Sequence, residues 1–461
     1  MANKRNVVLA LLFVYIITSI IIAIPNVHAS PDDWYVDGAL GTDDGSHGIG
    51  PGTNAFKTIQ YAMDDSRVSD GDTIHVAAGT YTATSTITVT KTLTLLGPQA
   101  DVDPRPSTGG RAGSEAIVQG SGVSRVIYID ADNVVINGLT VKTGTGDIVY
   151  QSSSYTGTVV KYNIIHDGLG DEGIQLKQCT NGVIEYNYVY DIADPGDAIN
   201  FADSDHCVIR FNEVYDIGSE NAAIYVYGSE YMSIVGNEVH HVTQNDGIKL
   251  GSKDGSDAGK SGGLIKDNLV YDVAQDGITI YTSDVVVERN EIYDSGSENG
   301  VIYLAYAISN VTIRFNSIHD NTLSTSKRLT SAGILLQNQV DASSVTISCN
   351  NIYNNNPYGC TNEATGLLKA ENNWWGDSNG PSGVGPGTGD AVTSNVDYDP
   401  WLSSTWQTSS PCAPPSPLPV GGYWVSINKT ELLAPWIGLA SLITVAAVSI
   451  VYVKRRKKQP N

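Results

Sequence analysis

The sequence predicts an all-β solenoid, a chain wound into short coils whose strands stack as parallel sheets. Three observations carry this prediction. Text recurs: "YDIGSENAAIYVY" (Tyr215–Tyr227) returns as "YDSGSENGVIYLA" (Tyr293–Ala305), 78 residues later. Weaker copies divide that distance into three. Each copy holds short segments with apolar residues at alternate positions, as half-buried strands require, and no helical stripe interrupts them.

The coils are read off a recurring asparagine. "KYNIIHDG" begins at Lys161, "EYNYVYDI" at Glu185, "RFNEVYDI" at Arg210 and "RFNSIHDN" at Arg314. The row is Asn163, Asn187, Asn212, Asn237, Asn268, Asn290, Asn316 and Asn350, in steps of 24, 25, 25, 31, 22, 26 and 34 residues. Three strands in each such period describe a repeat that stacks only on its neighbours. Leucine-rich and propeller repeats fit poorly, for there is no LxxLxL helix unit and no four-stranded blade. An inward asparagine at each turn can hydrogen-bond the turns above and below it, so the row is structural.

Each coil's third strand is of the "GIKL" type, as "GIQL" at Gly173, "AIYV" at Ala223 and "GILL" at Gly333. Its outward positions carry amides and tyrosines, and Asn200, Tyr225, Tyr227, Tyr281 and Tyr303 form the candidate glycan-binding row. Tyrosine's preference for strands also explains such a row. Acidic residues precede that strand. Asp171, Asp194, Asp197, Glu220 and Asp246 would stack at about 4.8 Å, where like charges repel. A bound cation relieves that repulsion, and calcium suits ligands that are all hard oxygens. A solvated acidic edge is the alternative, since no calcium-loop motif is present. On the first strand, Glu185, Arg210, Lys266, Glu288 and Arg314 suggest salt-bridge ladders between coils. His166, His240 and His319 share one row with tyrosines, too far apart for a single metal.

Three further stretches resemble the pectin-lyase-like superfamily of right-handed parallel β-helices, among its carbohydrate-binding and sugar-hydrolysis repeats. "FKTIQYAMDD" with "DGDTIHVAAGTYTATSTITVTKTLTLLGP" (Phe56–Pro98) is similar to its N-terminal cap and first coils. "VVINGLTV" (Val134–Val141) resembles an early coil, and "AENNWWGDSNGP" (Ala370–Pro381) a closing segment. The resemblance implies right-handed winding and a role with polysaccharide, either binding or cleavage. A lyase of this superfamily needs a basic residue to take a proton from the sugar and a cation to neutralise its carboxylate. Lys249, near Asp246 and beside the long insertion Gly251–Gly263, is the candidate base. The paired aspartates of polygalacturonase-type hydrolases and the Trp-Ile-Asp-His stretch of pectate lyases are absent. Two readings therefore stand: a surface protein that binds glycan or cell-envelope polysaccharide, and a calcium-assisted lyase or hydrolase of acidic polysaccharide.

The ends address the protein to a membrane. Lys4 and Arg5 precede an apolar run from Val7 to Ile24, read as a signal peptide over residues 1–29. Residues 30–400 form the β-helix ectodomain and 401–431 a Pro- and Ser-rich linker. Leu432–Val453 carries no charge and is the expected transmembrane helix, with basic Lys454–Asn461 inside the cell. Net charge is −22; without the seven basic residues of the two ends, 20 basic face 49 acidic ones, a balance of −29. Such a field repels phosphate backbones, so no nucleic-acid partner is expected. Five cysteines are too few for a disulfide scaffold. Cys349 and Cys360 lie eleven apart, close enough to pair in an oxidising exterior, and Cys412 has no obvious partner; the sequence leaves the pairing open.

Overall fold

The structure is a computed structural model that describes residues 32–412 except 194, 297–298 and 323–328. The segments read as signal peptide, transmembrane helix and basic tail lie outside the described residues. Among the described residues, no helix is long and apolar enough to cross a membrane.

Among those same residues the strands form three parallel sheets of 14, 11 and 13 strands, and each coil from Thr73 to Asn362 adds one strand to each. One coil runs through Val183–Glu185 in the first sheet, Tyr188–Ile192 in the second and Ile199–Ala202 in the third. The next coil repeats it in register: Ile184 pairs with Ile209, Val189 with Val214 and Ile199 with Ile224. Like side chains therefore stack on like. Ile184, Ile209, Ile234, Ile265, Ile313 and Ile347 are all fully buried, and one continuous core runs along the axis. The expected charge ladder lies on the first sheet's outer face: Arg210 pairs with Glu185 at 2.6 Å, and Lys266 and Arg314 with Glu288 at 3.3 and 2.8 Å.

The turn between the first and second sheets carries the asparagines. The Oδ1 of Asn212 accepts from both the backbone N–H and Nδ2 of Asn187, each at 3.0 Å. Asn212 Nδ2 in turn donates to the Ile184 carbonyl and to Asn237 Oδ1. The same stitch joins every rung from Asn163 to Asn350 and runs one step further, to Asn373 of the "NNWW" segment. There Asn373 Nδ2 turns onto the Ile347 and Ala370 carbonyls and closes the row. Tyr162, Tyr186 and Phe211, each preceding a rung, adopt φ of 51–53°. Left-handed backbone is costly for bulky residues. Ring stacking along the row, at 4.9 and 5.1 Å between centroids, offsets part of that cost.

Both ends of the core are covered. The short helix Ile59–Asp64, capped by the Thr58 side chain, buries Ile59, Ala62 and Met63 over the first coils, as an open sheet edge demands. At the other end, Cys349 bonds to Cys412 and not to Cys360, which is a buried free thiol. Spacing in sequence had left the pairing open. Cys360 sits on a third-sheet strand with its side chain in the core, whereas Cys349 lies in the asparagine turn, facing the returning tail. Residues 401–412, assigned by composition to a linker, pack back on the solenoid. Trp406 lies against Phe315 at 5.3 Å between ring centroids, and its backbone N–H donates to Asn351.

Candidate functional site

The third sheet's outward row runs Tyr128, Tyr150, Gln175, Asn200, Tyr225, Lys249, Thr279 and Tyr303, one residue per coil. Strand parity aims these side chains away from the core, yet most do not meet solvent. Asn200 is 1% exposed, and Tyr225 and Tyr303 are each 5% exposed; Tyr227 and Tyr281 are half-buried. Tyr303 packs in a small apolar cluster with Leu335, Tyr281 and Tyr306. The insertion after Gly251 supplies a cover there. Its buried Asp257 accepts the backbone N–H groups of Gly228 and Ser252 at 2.6 and 2.8 Å, and the Tyr306 hydroxyl donates to the Lys253 carbonyl. The loop closes over the coils of Tyr225 and Tyr306.

In the coils from Tyr128 to Tyr227 the row is likewise mostly buried, with Tyr150 7% and Gln175 3% exposed, while Arg125, Tyr128, Lys177 and Tyr227 are half-buried. Tyr128 stacks on Tyr150 at 5.9 Å, the Arg125 guanidinium lies 4.0 Å over the Tyr150 ring, and Lys177 Nζ stands 5.8 Å from it. Tyr227 stacks on Tyr225 at 4.9 Å and stays half-buried. Arg125, Tyr128 and Tyr150 escaped sequence reading because "VIYID" and "DIVYQ" lack the "GIKL" signature. The only signal was the alternation itself, continued two coils toward the N-terminus.

Beside this row runs an acidic one, and it is hydrogen-bonded rather than bare. Asp197 Oδ1 accepts from Ser219 Oγ at 2.7 Å and from the Asn221 and Ala222 backbone. Asp246 pairs with Lys249 at 2.9 Å and accepts from Thr279 Oγ1 at 2.9 Å. Lys249, 7% exposed, also donates to the Asn221 carbonyl at 2.7 Å, so two of its three donors are engaged. The candidate base is thus locked in a polar network. Glu220 is exposed and paired with Lys253, and Asp171 is exposed on the turn; Asp194 lies outside the described residues. Among the described residues, which do not include Asp194, no three His, Cys, Asp or Glu are gathered as a metal site.

One acidic pair differs from the rest. Asp147 and Glu172 stand on successive coils, where the Ile148 N–H donates to the Glu172 carbonyl at 2.9 Å. Asp147 Oδ2 meets Arg125 Nε at 3.3 Å, while Oδ1, fully buried, has no donor among the protein's groups. Glu172 Oε1 accepts from Gln175 Nε2 at 2.6 Å. Burial, and then the neighbouring Asp147 carboxyl, push Glu172 up to about 9. Burial likewise raises Asp147 and Asp197 above the ordinary carboxylate range.

The second sheet presents a different face. His166, Tyr190, Tyr215, His240, Tyr271, Tyr293, His319 and Tyr353 follow one another coil by coil. Tyr271 and Tyr293 stack nearly parallel, 2° apart, so the ladder offers ring edges to a ligand and keeps the ring faces for itself.

Residues 197–385 match the family model described as a right-handed β-helix region. This segment is a right-handed parallel β-helix, and the described coils on either side continue its three sheets. Among solved structures, the A-module of Azotobacter vinelandii mannuronan C-5 epimerase AlgE4 is similar at a TM-score of 0.57 and 18% identity, covering 74% of this chain and 94% of that one. The A-module of AlgE6 from the same organism gives 0.57 and 16%, covering 75% and 93%. Pectate lyase Pel9A gives 0.45 and 15%, covering 70% and 80%. The epimerase likenesses show a shared fold; at such identity they assign no reaction. A comparison with curated proteins found no match.

Proposed function

We propose that this protein binds polysaccharide through the outward face of its third sheet, at the coils from Tyr128 to Tyr227. The observation that carries this reading is the composition of that patch, where Arg125, Tyr128, Lys177 and Tyr227 are half-buried and reach the surface. Aromatic rings, two cations, amides and a carboxyl pair stand side by side on a rigid sheet, the mixture that sugar rings and hydroxyls call for. Two solved structures of the same fold bear the name of a mannuronan epimerase, which supports a polysaccharide partner. Titration of the purified ectodomain against an oligosaccharide panel tests it. Tyr128→Ala and Tyr227→Ala are each expected to weaken binding about tenfold, near 1.4 kcal/mol. Affinity unchanged in both variants would place the glycan elsewhere.

Catalysis is the second reading, favoured by one observation: Lys249 and Asp246 form a buried ion pair at 2.9 Å on the strand that leads into the 251–263 loop. A calcium-assisted lyase would release unsaturated products from polyuronate, read by absorbance with and without calcium. No signal in either condition, against a positive control enzyme, removes this reading.

Anchoring at the cell surface belongs to the same proposal and rests on the uncharged stretch Leu432–Val453 followed by "KRRKK". Protease added to intact cells is expected to release the β-helix by cutting near Pro411–Pro419. Protection of the whole chain would overturn the topology.

A further inference from the structure

We propose that the turn leaving the third sheet carries a subsite for a cationic amino sugar, so that the glycan recognised is one with free hexosamine residues. This rests on the reading that the third-sheet face binds polysaccharide. Beyond the strands that end at Gln151, Lys177 and Ala202, a cavity of about 380 Å³ opens among Asp132, Ser154, Tyr155, Gln178, Thr180 and Asp203. That volume falls in the small-ligand range of about 300–1,000 Å³. The Tyr128 hydroxyl and Ser152 Oγ, 3.0 Å apart, join the cavity to the face. A sugar chain lying on Tyr128 and Tyr150 therefore reaches it without a break.

The lining suits a saccharide. Ser154 Oγ lies 3.5 Å from Gln178 Oε1, a long bond that a sugar hydroxyl can bridge. The Tyr155 hydroxyl donates to Asp130 Oδ1 at 2.9 Å, which holds its ring as a fixed wall. Charge in the cavity has one sign. Asp132 and Asp203 line it, and no Lys, Arg or His does. Asp132 Oδ1 accepts the Thr156 backbone N–H at 2.8 Å, a neutral donor, and neither aspartate is in an ion pair among the described residues. Lys177, next to Gln178 in the chain, stands over the Tyr150 ring instead. A uronate would meet like charge here, and a neutral sugar would leave both carboxylates unanswered. An ammonium group answers them with charge-assisted hydrogen bonds. The acidic balance of the whole chain attracts the same polymer.

The test uses the full chain in detergent at pH 6, where a sugar amine is protonated. The probes are three β-1,4-linked tetrasaccharides that differ only at C2, namely cellotetraose with a hydroxyl, the chitin tetramer with an acetamide and the chitosan tetramer with an ammonium. An oligouronate of matched length is the fourth. Wild type is expected to bind the chitosan tetramer about tenfold tighter than the two neutral ones, and the oligouronate most weakly. Asp203→Asn and Asp132→Asn should each cut chitosan affinity about tenfold, and Asp203→Glu, which restores the charge, should recover most of it. Asp294→Asn, which removes an exposed carboxylate from a second-sheet turn, should change it less than about twofold. Equal affinity for the three tetrasaccharides, or equal losses in Asp203→Asn and Asp294→Asn, overturns the subsite and leaves glycan binding standing. No binding of any oligosaccharide overturns both.

Discussion

Asn212→Ala is expected to destabilise the solenoid by about 2–4 kcal/mol, a loss read as a shift in the midpoint of urea unfolding. The side chain touches no solvent and serves three coils at once. Removing it takes the acceptor from the Asn187 N–H and the donor from the Ile184 carbonyl and from Asn237 Oδ1. Each buried group left without a partner costs about 1–3 kcal/mol, moderated where a second bond survives. Asn187 Nδ2 keeps the Val160 carbonyl, for example. Asn212→Asp should be worse near neutral pH, because a carboxylate would face both the Ile184 carbonyl and Asn237 Oδ1. Acid should partly rescue it. The exposed Lys369→Ala is the control, expected within about 0.5 kcal/mol of wild type. An Asn212→Ala loss no larger than the control's would mean that the turns are satisfied by other means.

Cys412→Ser should loosen the C-terminal closure. The Cys349–Cys412 bond spans 63 residues, and constraining a loop of that length in the unfolded chain contributes about 4 kcal/mol in the chain-entropy account. Freed of it, residues 401–412 hold on chiefly through Trp406 against Phe315 and the bonds of Asn351 to Trp406 and Gln407. The expected results are a lower melting temperature, early protease cleavage after residue 400 and a changed tryptophan spectrum. Identical melting of oxidised and reduced wild-type protein would show that the tail is held without the disulfide.

The coil repeat was legible in the sequence because it rests on local facts that recur: alternation, a turn asparagine, a fixed step. Asn163 through Asn350 could be placed by inspection, whereas Asn373 was hidden in "NNWW", where the flanking text differs. The site was harder to read. Parity told that Asn200, Tyr225 and Tyr303 point outward, but accessibility depends on what crosses above them, and the path of the loop after Gly251 is set by its own Asp257, bound to Gly228 of the preceding coil, and by Tyr306. The acidic row was visible as charge and not as a network. Lys249 is local to Asp246, but the other donors, Ser219, Asn221 and Thr279, belong to other coils, and only the register brings them to Asp197 and Asp246. Cysteine pairing stayed open for the same reason: Cys349 meets a tail that folds back 63 residues later.

The asparagine stitch has a practical consequence for changing this molecule. Each rung fixes one point per coil, while the chain between rungs varies from 22 residues, Asn268 to Asn290, to 34, Asn316 to Asn350, with no slip in the sheets. An insertion therefore spends its length outside the scaffold and is forgotten by the next rung. Loops on the third-sheet side, the 251–263 segment first among them, form a set of exchangeable parts. Grafting or deleting one would redraw the surface above a few coils and leave the register of all the others as it was.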